Sequence, residues 1–140
     1  MESTGETVLI LDCDLAAVER LGEWAGDFCE RNGVPGPVGG ELNLALEEIV
    51  INVIQHGRPE PPEGAIRVSL RLEDGDIVAE VADRGAAFNP LLAPEPNLSE
   101  DLERRDVGGL GIHLVRNMVN GMEYERRGDR NCLTLRKRRE

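Results

Sequence analysis

Between Ile66 and Val81 the sequence spells out a β-hairpin. Ile66, Val68, Leu70 and Leu72 alternate with Arg67, Ser69 and Arg71, and Ile77, Ala79 and Val81 resume the pattern after Asp74-Gly75. A period of two sends one set of side chains into a core and the other toward solvent. Asp-Gly suits a two-residue turn that needs positive φ. The chain must therefore supply a layer to cover one face of a sheet.

The stretches before the hairpin supply it. Thr7–Leu11 reads as a strand, with Asp12 or Asp14 able to cap a following helix. Leu15, Val18, Leu21, Ala25 and Phe28 recur at helical spacing, and Gly33 is placed to end that helix. A loop is expected over 33–40. A second helix is expected from Glu41 to His56, with Leu42, Ala45, Leu46, Ile49 and Val53 as its apolar stripe. Gly57 and the Pro-rich stretch after it stop this helix.

Beyond the hairpin, residues 89–107 show no periodicity and contain Pro90, Pro94 and Pro96. Unstructured stretches of this length inside a small domain are often lids. A third helix is expected from Ile112 to about Val119, then strands Met122–Arg127 and Cys132–Lys137. Strands grouped beside helices point to an α+β class: helices on one face of a mixed, mainly antiparallel sheet, in two layers. With 140 residues the chain is expected to form a single domain, 1–140.

Composition narrows the function. The formal net charge is −11, with 27 acidic side chains against 16 basic ones. Such a balance argues against nonspecific binding to nucleic acid, which requires phosphate neutralisation. The basic residues of 121–140 read as a solvated strand end. No apolar run reaches membrane-spanning length, and the N-terminal residues do not resemble a signal peptide, so a cytoplasmic protein is expected. Three cysteines without close spacing suggest neither a disulfide framework nor a zinc site.

Three motifs carry candidate chemistry. Glu48, Asn52 and His56 lie four apart, which stacks them on one helix face, whereas Glu47 falls about 100° away. A carboxylate beside a carboxamide suits proton transfer and a hard cation. Asp83-Arg84-Gly85 follows the hairpin, where a carboxylate can accept a hydrogen bond from an exocyclic amine and a glycine allows close approach. Gly108-Gly109-Leu110-Gly111 opens a helix, where free backbone amides and the helix dipole favour an anion. Alone, each has an ordinary alternative: a polar helix face, a strand-ending turn, a hinge. No Walker loop is present, and Lys137 is the one lysine. His113 reads as packing or surface, and Trp24 as core or interface.

In order and spacing, ExxxNxxxH, DxG and GGLG resemble the N, G1 and G2 boxes of the GHKL superfamily of ATPases and kinases, whose ATP site is the Bergerat fold. ELNLALEEIVINVIQHG and GGLGIHLVRNMVNGMEYERRGDRNCLTLRK resemble most the bacterial anti-sigma factor serine/threonine-protein kinases. The resemblance implies ATP and Mg²⁺ as cofactors. It implies Glu48 as general base, Asn52 as Mg²⁺ ligand, Asp83 and Gly85 at the adenine, and Gly109 and Gly111 at the phosphates. Arg104 and Arg105 would reach the phosphates from a lid at about 89–107, and Thr134 would support the adenine through water. It also implies a homodimer that binds a sigma factor and phosphorylates a serine of an anti-sigma antagonist. The alternative is a nucleotide-dependent binding module without kinase activity.

Overall fold

A computed structural model describes residues 5–92 and 111–140. The first strand, β1 (Thr7–Leu11), leads to helices α1 (Ala17–Arg31) and α2 (Gly36–Asn52) and a π-helical turn (Val53–Gly57). The hairpin β2 (Ile66–Glu73) and β3 (Asp76–Asp83) follows, then a 3-10 turn (Pro90–Leu92). Helix α3 (Gly111–Met118) precedes the closing hairpin, β4 (Gly121–Arg127) and β5 (Arg130–Arg138).

The five strands lie in the order β1-β2-β3-β5-β4. Every pair among the described residues is antiparallel, so the expected parallel component of the sheet is not found there. Asp74 and Gly75 have φ of 50° and 85°, the positive values that a tight hairpin turn requires. The helices cover one face of the sheet. Leu21, Ala25 and Phe28 of α1 and Leu42, Leu46 and Ile49 of α2 meet Val68, Leu70, Ile77, Val81, Leu133 and Leu135 in one core, with Val115 of α3. The other face is mixed: Val8, Ile10, Val78 and Ala82 share it with ion pairs, in which Arg136 bonds Glu73 and Asp76 and Arg127 bonds Glu80 and Glu125. Trp24 of α1 ties that helix to β1 by donating its indole N–H to Thr7 Oγ1 at 3.2 Å.

Two expectations need correction. The second helix begins at Gly36, not Glu41, so most of the expected 33–40 loop is helical. Pro37 does no harm there, because N–H groups of a first turn have no helical acceptor anyway. Gly39 is also useful: a Cβ on it would lie 3.4 Å from Cys29 Sγ, so glycine lets α1 and α2 approach closely. The basic C-terminal strand is not simply solvated either. Lys137 is 6% exposed; its ammonium donates to the Met118 carbonyl at the end of α3 and pairs with Glu41 at 3.3 Å. The expected lid falls largely outside the described residues.

Candidate functional site

Helix α2 brings Glu48 and Asn52 to one ridge, a helical turn apart. Asn52 is only 7% exposed, and its carboxamide makes no hydrogen bond among the described residues. Glu48 is half-buried. Burial pushes its carboxyl pKa up, and the neighbouring charge of Glu47 pushes it further the same way. Glu47 itself turns to the seam with α1, where it accepts a 3.5 Å hydrogen bond from Asn43 Nδ2 opposite Gly22. Helix geometry thus separates the two adjacent glutamates.

The ridge does not extend to His56. Past Asn52 the backbone widens into the π-helical turn, which breaks the four-residue spacing. His56 is exposed, with its ring 6.2 Å from that of Phe88.

Strand β3 delivers Asp83 across from α2. Asp83 is 4% exposed. Its Oδ1 accepts the Gly85 N–H at 2.8 Å and Asn131 Nδ2 at 3.1 Å. Gly85 is dictated by space: a Cβ there would sit 2.7 Å from the Gly57 carbonyl oxygen and 2.8 Å from Asp83 Oδ1. The π-helical turn and the Asp83–Gly85 turn are therefore in backbone contact.

Asn131 is a residue that the sequence reading missed. It faces Asp83 in the β3–β5 register and joins three segments. Its Nδ2 also donates to the Ala86 carbonyl at 2.9 Å. Its Oδ1 accepts the Phe88 N–H at 3.1 Å, the Tyr124 hydroxyl at 2.5 Å and Arg126 Nη1 at 3.3 Å. Arg126 Nη1 also donates to the Gly85 carbonyl at 2.7 Å. The expectation for Thr134 is corrected accordingly. Thr134 pairs with Glu80 and Glu123, three residues on from Asn131, which sends its side chain to the sheet face away from Asp83. The usable signal was this alternation: Leu133 and Leu135 face the core, so Asn131 shares their face and Thr134 does not.

Asn52, Asp83, Phe88, Ile112, Tyr124 and Asn131 line one cavity at the seam of the two layers. It holds about 30 Å³ and is lined mainly by apolar side chains. Gly111 begins α3 on the far side. Arg104, Arg105 and Gly109 lie outside the described residues.

The donor set can be tested against a divalent cation. Asn52 offers a hard oxygen that takes no competing partner among the described residues. Among the described residues no group of three or more His, Cys, Asp or Glu could hold a metal. An ion here would draw its other ligands from phosphate and water, which fits Mg²⁺.

The chain matches the histidine kinase-like ATPase domain family over residues 11–137. It belongs to that family. Among its relatives, the serine/threonine-protein kinase BtrW of Bordetella bronchiseptica is 33% identical over 94 residues, 67% of this chain and 66% of BtrW. The anti-sigma F factor of Clostridium botulinum is 26% identical over 61% of this chain and 59% of its own length. The serine-protein kinase RsbW of Listeria innocua is 23% identical over 59% and 55%. The matches thus span about two thirds or less of these curated relatives. Among solved structures, the RsbU and RsbW domains of Rv1364c from Mycobacterium tuberculosis superpose with a TM-score of 0.73 at 19% identity, over 96% of this chain and 32% of that one. That likeness shows that the family fold is shared. Among the described residues no helix is long and apolar enough to cross a membrane.

Proposed function

We propose that this chain is an ATP-dependent protein serine kinase that works as an anti-sigma factor in the cytoplasm. The observation that carries the reading is Glu48: a half-buried carboxylate of raised pKa, one turn from the Asn52 carboxamide, which has no partner among the described residues and lines a cavity together with Asp83. Nucleotide binding alone would need Asp83 and Asn52 but no base.

In this reading Asp83 accepts the adenine amino group and Gly85 leaves room for the ring. Asn52 holds Mg²⁺, which supplies charge neutralisation at the phosphates. Gly109 and Gly111 present amides to the phosphates, and Arg104 and Arg105 approach from a lid at 89–107 of a single ATPase domain. Glu48 takes the proton of an incoming serine hydroxyl as its oxygen bonds to the γ-phosphorus. The bond from that phosphorus to the bridging oxygen breaks, and ADP leaves. Phosphoryl transfer needs chiefly this positioning and charge balance. The name anti-sigma F factor supports a sigma factor as one partner, and the serine kinase names support a protein serine as the acceptor; we assign that serine to an antagonist protein and take a homodimer as the working state.

Calorimetry with ATP, ADP and GTP, with and without Mg²⁺, followed by transfer assays on a candidate antagonist, tests the reading. Asp83→Asn should lose ATP binding. Glu48→Gln should keep ATP binding and lose about 10²–10⁴-fold in transfer rate. Wild type that binds ATP but transfers no faster than Glu48→Gln would favour a nucleotide-dependent binding module instead.

A further inference from the structure

The carboxamide of Asn131 can point only one way. Its Oδ1 faces the Phe88 N–H and Arg126 Nη1, which can only donate. Its Nδ2 faces the Ala86 carbonyl and Asp83 Oδ1. Turning the group over would set donor against donor and acceptor against acceptor. The Tyr124 hydroxyl, 2.5 Å from Oδ1, is therefore also a donor there. Both Tyr124 and Arg126 come from β4, two residues apart on one face of the strand.

The consequence falls on Asp83. Its Oδ1 already takes two N–H donors, from Gly85 and Asn131. Among the described residues its Oδ2 takes none, and Asp83 lines the cavity. We propose that Tyr124 and Arg126 are positioning residues for purine choice: through Asn131 they leave Asp83 one free acceptor, which a 6-amino purine satisfies and a 6-oxo purine opposes. A 6-oxo group would set its oxygen against a carboxylate oxygen with no proton between them. The proposal rests on the ATP-site reading above and deepens it.

The test compares affinities for ATP and for inosine triphosphate, which carries a 6-oxo group and an N1–H where ATP carries a 6-amino group and a bare N1, by calorimetry of the full chain across a range of pH. Wild type should prefer ATP by at least about tenfold, the effect of one well-placed polar contact. Asn131→Asp puts two carboxyl groups in contact, and one of such a pair tends to hold a proton. A carboxylic O–H can donate to a 6-oxo group. The ATP preference should therefore fall by about tenfold and weaken further as pH drops. Tyr124→Phe keeps the ring and removes one anchor of Asn131, so the preference should fall several-fold. Asn131→Ala carries the test if Asn131→Asp does not fold, and should lower the preference without a pH dependence. A purely structural role would weaken both nucleotides equally, so an unchanged ratio in the folded variants overturns the proposal. Wild type that binds neither nucleotide overturns the ATP-site reading itself.

Discussion

At the scale of single residues, the site depends on contacts too close to tolerate added atoms. Gly85→Ala would drive a methyl group into the Gly57 carbonyl and Asp83 Oδ1, and both belong to constrained backbone turns. We expect a loss of about 1–3 kcal/mol in urea unfolding, together with weaker nucleotide binding. Glu48 depends on charge rather than space. Burial and the Glu47 carboxylate both favour its protonated form, while a general base must be deprotonated. The acid limb of the transfer rate should therefore lie above the ordinary carboxylate value of 4.5. Glu47→Gln removes the like charge and should move that limb to lower pH in a rate–pH profile, with ATP affinity unchanged. For stability the sign is the reverse of a salt-bridged acid. The raised pKa opposes folding at pH above it, and that penalty disappears as pH falls below the ordinary value.

At the scale of elements, legibility followed periodicity. The β2–β3 hairpin was readable because alternation and Asp74-Gly75 agree on one register, and the pairing of Leu72 with Ile77 bears that out. Glu48 and Asn52 were readable as neighbours because they lie in regular helix. His56 was not, because nothing local marks where an α-helix widens into a π turn, and only tertiary packing of Gly57 on the Asp83–Gly85 turn explains it. The start of α2 was misplaced because glycine and proline signal a loop unless a neighbour rewards close approach, as Cys29 does at Gly39. Lys137 shows the same limit. Its place in a basic run suggested solvent, yet strand alternation turns it inward to the end of α3. Lys137→Met should remove a charge-assisted cap worth about 1.5–3 kcal/mol. The loss should show as a larger gain in amide exchange for α3, whose last carbonyl Lys137 caps, than for α1.

At the scale of the whole molecule, the cavity sits where separate layers meet. Its walls come from α2, the π-helical turn, β3, α3, β4 and β5. A ligand held there touches both the helical layer and the sheet, so it must favour the native state as a unit rather than one loop. Linkage gives the size: a ligand at about a hundred times its dissociation constant adds about 2.7 kcal/mol to unfolding. We expect Mg²⁺ and ATP together to raise the urea midpoint by that gain divided by the slope, with the slope itself unchanged, because the surface exposed on unfolding is the same. Glu48→Gln should keep the full shift if, as proposed, its carboxylate serves transfer and not binding. Asp83→Asn should lose it. A shift that survives in Asp83→Asn would mean that the nucleotide binds away from this seam, and the roles given to Asn52, Asp83 and Asn131 would fall together.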